Sequence, residues 1–488
     1  MRVRSLVALS ALLVLMGGVG TAHAARGLTT GFADPLFESP NPGERALWLD
    51  RTVSSGAGLA RLVVPWRVVA PSQPLDPSNP GAAAYHFGMV DAGVRDARAR
   101  GLTVMLTVQG APDWAEGPGR PADAAPGTWK PDPSSLASFM RAVTLRYSGG
   151  FDPDGLGPAP PLPAIQAIQV WNEPNLLEFL TPQYDGNVPV SPDYYRTMLN
   201  ASYAAIKSMN PSIRVVTAGT SPYGGPSAKG PRLRPVEFDR RLFCLQQVKA
   251  KRRARKKGKR KHRTKPVTKL IRDPGCPAPA NFDVLAHHPI NTSGGPLVHA
   301  LNADDASSND LGRITRVLRA AEKARTVSPG GHPVWATEIW WDSNPPNSAG
   351  SPLARQARWL EQSMFLAWRA GASAVVNLRI RDSSATSSNL LDGSGSGIYF
   401  TNEQAKPGAV AFRFPFVADR RGKKGLLAWG KAPVGGKLVI QRQARHRWKA
   451  VRKLNVARGA VFAVRLRLKG KPRLRATVAG THSLVWKS

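Results

Sequence analysis

A chain of 488 residues, 42% hydrophobic and 20% charged, can bury a large core, and this composition excludes a disordered, collagenous or disulfide-framework protein. At this length one large domain with a smaller companion is the natural organisation. The formal net charge of +36 is concentrated in two places: residues 249–272 hold 14 Lys and Arg with no acid, and residues 413–488 hold 21 against one acid, Asp419. The remainder carries only +2, so a nearly neutral body has two cationic attachments.

In chain order, the first segment is an address. Arg2 and Arg4 precede the apolar run Leu6–Met16, and Ala22-His23-Ala24 supplies small residues for cleavage, so residues 1–24 read as a secretory signal peptide. No later stretch is apolar for the roughly 18 residues a membrane span needs, and the expected location is secreted or cell-surface associated. Export also places Cys244 and Cys276 in an oxidising compartment, where they are expected to form a disulfide.

From Leu28 to Ile380, eight compact runs rich in Val, Ile, Leu and Trp read as parallel strands buried on both faces. They are Leu28–Ala33, Arg61–Trp66, Leu102–Val108, Ile165–Trp171, Ile213–Ala218, Phe282–His287, Val334–Glu338 and Ala374–Ile380. Helical patterns fill the gaps. Phe87–Arg100 and Pro133–Tyr147 are two, and Ser191-Pro192 and Ser351-Pro352 mark the cap and first turn of two more. Eight such units over residues 25–412 predict a (β/α)8 TIM barrel. A doubly wound sheet is the competitor, but no Gly-rich turn follows the first strand; Gly393-Ser394-Gly395-Ser396-Gly397 follows the last and reads as a loop. In residues 413–488 the period changes to two, with Val464, Leu466 and Leu468 alternating with Arg465, Arg467 and Lys469, which predicts a small all-β domain.

The chemistry is concentrated in two glutamates at strand ends. Trp171-Asn172-Glu173-Pro174 closes the fourth strand and Thr337-Glu338 lies at the end of the seventh. Strands four and seven face one another across a barrel mouth, where two carboxyls can approach to about 5–5.5 Å, the span used for glycoside hydrolysis with retention. One must keep its proton for the leaving oxygen and the other must be ionised to attack the anomeric carbon; mutual repulsion is expected to separate them.

These motifs resemble the signature of glycoside hydrolase clan A, in particular the cellulase-like family 5 and the xylosidase-like family 39, over roughly residues 28–390. Arg61–Trp66, Pro112-x-Trp114-Ala115 and His287-His288-Pro289 extend the resemblance. It implies Glu173 as acid/base, Glu338 as nucleophile, Asn172 on the sugar hydroxyl beside the reacting carbon, Arg61 on the nucleophile side, and His288 lining the site. Trp114 and Trp341 are the expected sugar-stacking rings. The chain departs from the pattern at Ile290, where the families carry a tyrosine in contact with the nucleophile. That departure motivates an alternative, a non-catalytic glycan- or cell-wall-binding protein on a barrel scaffold. No cofactor is implied, and the His287–His288 pair lacks companions at metal-ligand spacing.

Residues 249–272 have almost no apolar content and are expected to be a disordered insertion. Their cations lack interleaved aromatic rings for base stacking, so nucleic acid is not the expected partner. An oligo- or polysaccharide substrate and an anionic wall polymer or acidic polysaccharide are.

Overall fold

The computed structural model describes residues 26–155, 160–227, 230–250, 267–292, 294–384, 391–422 and 425–487. The leader, residues 1–24, and the body of the basic insertion, residues 251–266, lie outside them.

The eight expected strands form one parallel sheet. They are β1 Thr29–Ala33, β2 Leu59–Pro65, β3 Thr103–Gln109, β4 Ala167–Val170, β5 Arg214–Val216, β6 Leu285–His287, β7 Val334–Ile339 and β8 Ala372–Leu378. Their order runs β6-β7-β8-β1-β2-β3-β4-β5. The remaining seam, β5 to β6, is stitched by parallel bridges Val216–Val284 and Thr220–His287. A helix follows each strand: α1 Pro42–Ser54, α2 Gly88–Ala99, α3 Pro133–Arg146, α4 Ser191–Met209, α5 Pro235–Leu242, α6 Leu311–Ala324, α7 Leu353–Ala370 and α8 Pro407–Arg413. This is a TIM barrel. Leu59, Met105, Ala167, Val216, Ala286, Trp335 and Val376 fill its interior, while a far larger apolar layer packs strands against helices. That division is why the strands read as continuous hydrophobic runs.

Two helix starts differ from expectation. Val190, not Ser191, caps α4, and the Ser191 hydroxyl instead donates to Gln183 at 3.1 Å. Helix α7 begins at Leu353, because Ser351-Pro352 pairs with Ser343-Asn344 as a short parallel ladder. In both cases a tertiary partner outcompetes the local capping bond. The C-terminus of α7 follows the sequence signal: Gly371 takes φ +113° in the left-handed region.

The basic insertion is only partly the loop expected. Its described ends are strands: Leu245–Ala250 pairs antiparallel with Val267–Arg272, and the Cys244–Cys276 disulfide closes the base. Ladder hydrogen bonds order the backbone here without needing an apolar core.

The C-terminal region is all-β. Strands β9 Phe416–Arg421, β10 Gly425–Lys431 and β13 Val461–Arg467 form one antiparallel sheet, and β11 Gly436–Ala444, β12 Arg447–Val456 and β14 Arg473–Val478 form another. Val464 and Leu466 are buried, whereas Arg465 and Arg467 are exposed, as period two requires. The domain packs on the barrel through Trp429 against Phe365 and Trp368, and through Arg358 lying 3.8 Å over the Trp486 ring. Lys431 reaches the N-terminal end of the barrel, donating to Thr30 Oγ1 and to the Gly56 carbonyl. No described helix is long and apolar enough to cross a membrane.

Candidate active site

Strand β4 ends in backbone that few side chains adopt: Trp171 has φ +74° and Glu173 φ +35°. Such left-handed conformations need surrounding structure to hold them. The Trp171 indole donates to the Phe179 carbonyl at 2.8 Å, and buried Asn175 bonds the Ser221 amide and the Ser221 and Leu233 carbonyls. The turn is thereby clamped from both sides, with Glu173 between the clamps.

The imidazole of His288, after β6, is fully buried. Its Nδ1 lies 2.8 Å from Glu173 Oε1 and 3.7 Å from Glu338 Oε2. Those two carboxylate oxygens are therefore at most about 6.5 Å apart, the two distances laid end to end. Only the first distance is a hydrogen bond. The other ring nitrogen, Nε2, is buried without a hydrogen-bond partner among the described residues. It faces Gly219, where a Cβ would lie 2.5 Å from it. Gly219 also has φ +70°, so both backbone and space demand glycine.

Arg61 in β2 organises the opposite side. Its Nη1 bonds Glu338 Oε2 at 3.1 Å, its Nη2 donates to Asn172 Oδ1 at 2.9 Å, and its Nε donates to Thr107 and Gln169 at 2.9 and 3.1 Å. Gln169 in turn donates to the Thr217 carbonyl and the Thr337 hydroxyl. Polar residues from β2, β3, β4 and β7 thus form one satisfied network beneath the mouth.

Burial pushes the Glu173 carboxyl up to about 8, reinforced by the charge of Glu178 and opposed by Arg61 and Ser221. Burial lowers His288 to about 4, so the ring is neutral at neutral pH. The expectation that repulsion between the two glutamates separates their roles needs correction. Desolvation holds the proton on Glu173, while Glu338 is in an ion pair with Arg61.

Arg61, Asn172, Glu173, His288 and Glu338 therefore come together. Trp114 and Trp341 do not join this network. The Trp114 indole donates to the Ala70 carbonyl and its ring meets Trp66 edge-on. The Trp341 indole donates to Ser363 on α7 and its ring packs 4.9 Å from Trp359 on the same helix. His287 uses both ring nitrogens, on Thr220 and the Ala306 carbonyl. Ile290 is buried. The sequence reading gave no role to Thr107, Gln169, Asn175, Thr337 or Gly219; the one available signal was Gln169, a large polar residue inside an apolar strand.

A cavity of about 640 Å³ is lined by Trp129, Leu177, Glu178, Gln183 and Tyr184 among others, and by none of Arg61, Asn172, Glu173, His288 and Glu338. It lies between the loops after β3 and β4. On the other side, Asp342 accepts from the amides of Asp392, Gly393 and Gly395, and buried Lys406 bonds Asp382, Ser343 and the Gly395 carbonyl. This pins the Gly-Ser loop after β8 to the end of β7. Among the described residues no group of His, Cys, Asp and Glu is arranged to hold a metal ion.

No protein-family model and no curated protein matches this sequence. Among solved structures, the chain is similar to a family 39 glycoside hydrolase from the gut symbiont Bacteroides cellulosilyticus WH2, with TM-score 0.53 and 15% identity over 91% of this chain and 81% of that one. It is also similar to the GH39 enzyme from Xanthomonas axonopodis pv. citri (TM-score 0.49, 14% identity, 93% and 94% coverage) and to a GH5_18 from Bifidobacterium longum subsp. infantis (0.48, 13%, 80% and 78%). The first likeness shows the fold.

Proposed function

We propose that this barrel is an exported retaining glycoside hydrolase that cleaves a β-linked glycan by double displacement. The observation that carries the reading is the meeting of Glu173 and Glu338, from opposite strands, at the single buried imidazole of His288. The separation limit of about 6.5 Å favours the short span of retaining enzymes over the roughly 6.5–9.5 Å that leaves room for a water.

With His288 as its Nδ1–H tautomer, the ring donates to Glu173 Oε1 and leaves the carboxyl proton on Oε2. That proton passes to the glycosidic oxygen as the bond to the anomeric carbon breaks. Glu338, oriented by Arg61, attacks that carbon from the opposite face to give a glycosyl-enzyme ester. Glu173, now ionised, removes a proton from water; the water oxygen displaces Glu338 and restores both carboxyls. Asn172 accepts from Arg61 through Oδ1, so its amide N–H groups can donate to the sugar hydroxyl beside the reacting carbon. With Ile290 in place of the tyrosine, Glu338 is held by its ion pair with Arg61 at 3.1 Å. The cavity between the loops after β3 and β4 would take the leaving part of the substrate.

Export is supported by the signal-like residues 1–24 and by the disulfide. Ile290 keeps a second reading in view, a glycan-binding protein without turnover. Aryl β-glycosides decide between them. Hydrolysis is expected in the native chain and lost in both Glu173→Ala and Glu338→Ala, with azide restoring the second through an azide product of inverted configuration. Glycan binding without turnover in the native chain would reverse the assignment.

A further inference from the structure

Away from the barrel mouth, the C-terminal domain builds a second concave site. A cleft of about 520 Å³ opens between the β11–β12 turn and the β13–β14 turn. Arg442, Arg445, His446, Lys469, Lys471 and Arg473 line it, and no acidic side chain does. None is available nearby in the chain: residues 425–487 contain no Asp or Glu. The domain's one acid, Asp419, is occupied by Arg421 at 2.9 Å and Arg369 at 3.8 Å.

The charges are held together rather than merely scattered. The cleft wall is a hydrogen-bonded ladder in which Arg442 lies directly across from Lys449, a like-charge pairing that opposes strand association. The Lys469–Lys471 turn is fastened by a hydrogen bond from Arg420 to the Gly470 carbonyl. Beside it Arg475 is fixed 4.3 Å over the Trp448 ring and by Gln441 at 2.8 Å. Two hairpin turns thus converge five permanent positive charges and an imidazole on one volume, and a bound polyanion would relieve their repulsion.

We propose that this cleft is a binding site for an acidic polysaccharide, whose carboxylate or sulfate groups the arginine and lysine heads would pair. Among the described residues no Phe, Tyr or Trp lines the cleft, so it lacks the stacking platform that single-stranded nucleic acid uses. The choice of a glycan among polyanions rests on the glycosidase reading of the barrel; the cleft itself does not.

Fluorescently labelled oligogalacturonate, titrated into the full chain at 50 and 200 mM NaCl, tests the proposal. Binding is expected, weakening steeply with salt. Replacing Arg442, Lys469, Lys471 and Arg473 with Gln is expected to raise Kd at least tenfold, and R442Q and K471Q singly to raise it severalfold. A charge-matched control with Lys437, Arg452, Lys453 and Arg458 changed to Gln is expected to stay within about threefold of the native chain. The basic insertion is present in every variant and so cancels. Equal losses in cleft and control variants would mean diffuse attraction and overturn the site. Tighter binding of a DNA oligonucleotide or of phosphatidylserine vesicles through the same four residues would overturn the ligand class. Because the assay reads binding alone, failure of aryl glycoside hydrolysis would leave the cleft result standing.

Discussion

Glu173 and His288 make each other's state intelligible. A carboxyl that keeps its proton to about pH 8 through burial is a ready acid at neutral pH, and a ring that stays neutral to about pH 4 can donate to it without carrying charge. Glu173→Gln is therefore expected to lower kcat by about 10²–10⁴ on substrates with poor leaving groups. The loss should be far smaller on dinitrophenyl glycosides, whose leaving oxygen needs no proton. In the native chain the rate should fall as pH rises through about 8, and that alkaline limb should vanish from bond cleavage in the Gln variant. A limb that persists there would assign it to another group.

At the scale of elements, the strands were legible because both of their faces are apolar, and the two glutamates because each lies where such a strand stops. What was not legible is what requires a partner remote in sequence. Whether Trp341 turns to the mouth or to α7 is decided by Ser363 and Trp359, and whether Ser191 caps its helix is decided by Gln183. Gly219 belongs to the same class. It follows β5 with φ +70° and lies against the ring of His288, just after β6, a proximity that spacing along the chain does not reveal. Gly219→Ala is expected to push the His288 ring away, lower kcat at least tenfold and alter the pH profile. A control at exposed Gly101, which has φ +73° but no neighbour within 4 Å, carries the backbone strain alone. If both variants keep native kinetics, the glycine's space is not what seats the histidine.

Over the whole molecule, buried titratable groups set the conditions of stability. Burial raises Glu38, Glu173 and Glu361 to about 8 from an ordinary 4.5. The folded chain holds those protons more tightly than the unfolded one, so the stability they contribute is complete below about 4.5 and is lost as pH rises through about 8. His287 and His288 are depressed to about 3 and 4, so their contribution is present above 6.5 and is lost as pH falls toward those values. The two trends partly cancel between about 4.5 and 6.5. Three glutamates outweigh two histidines there, so denaturant midpoints are expected to be highest near pH 4.5 and lower at pH 3.5 and 8.5, with a limiting slope of about 1.4 kcal/mol per pH unit for each group. A midpoint that climbs from pH 6 to 8.5 would contradict this assignment.

The loop after β8, riveted by Asp342 and Lys406, has one more consequence. Where these bonds hold residues 392–395, the wall on the Glu338 side has little freedom to adapt, whereas the connections after β3 and β4 border an open hollow. An asymmetric jaw of this kind should be exacting about the sugar whose anomeric carbon reacts and tolerant of whatever is attached to it. Varying each half of a disaccharide in turn would expose the difference: epimerising the first ring should cost far more turnover than replacing the second.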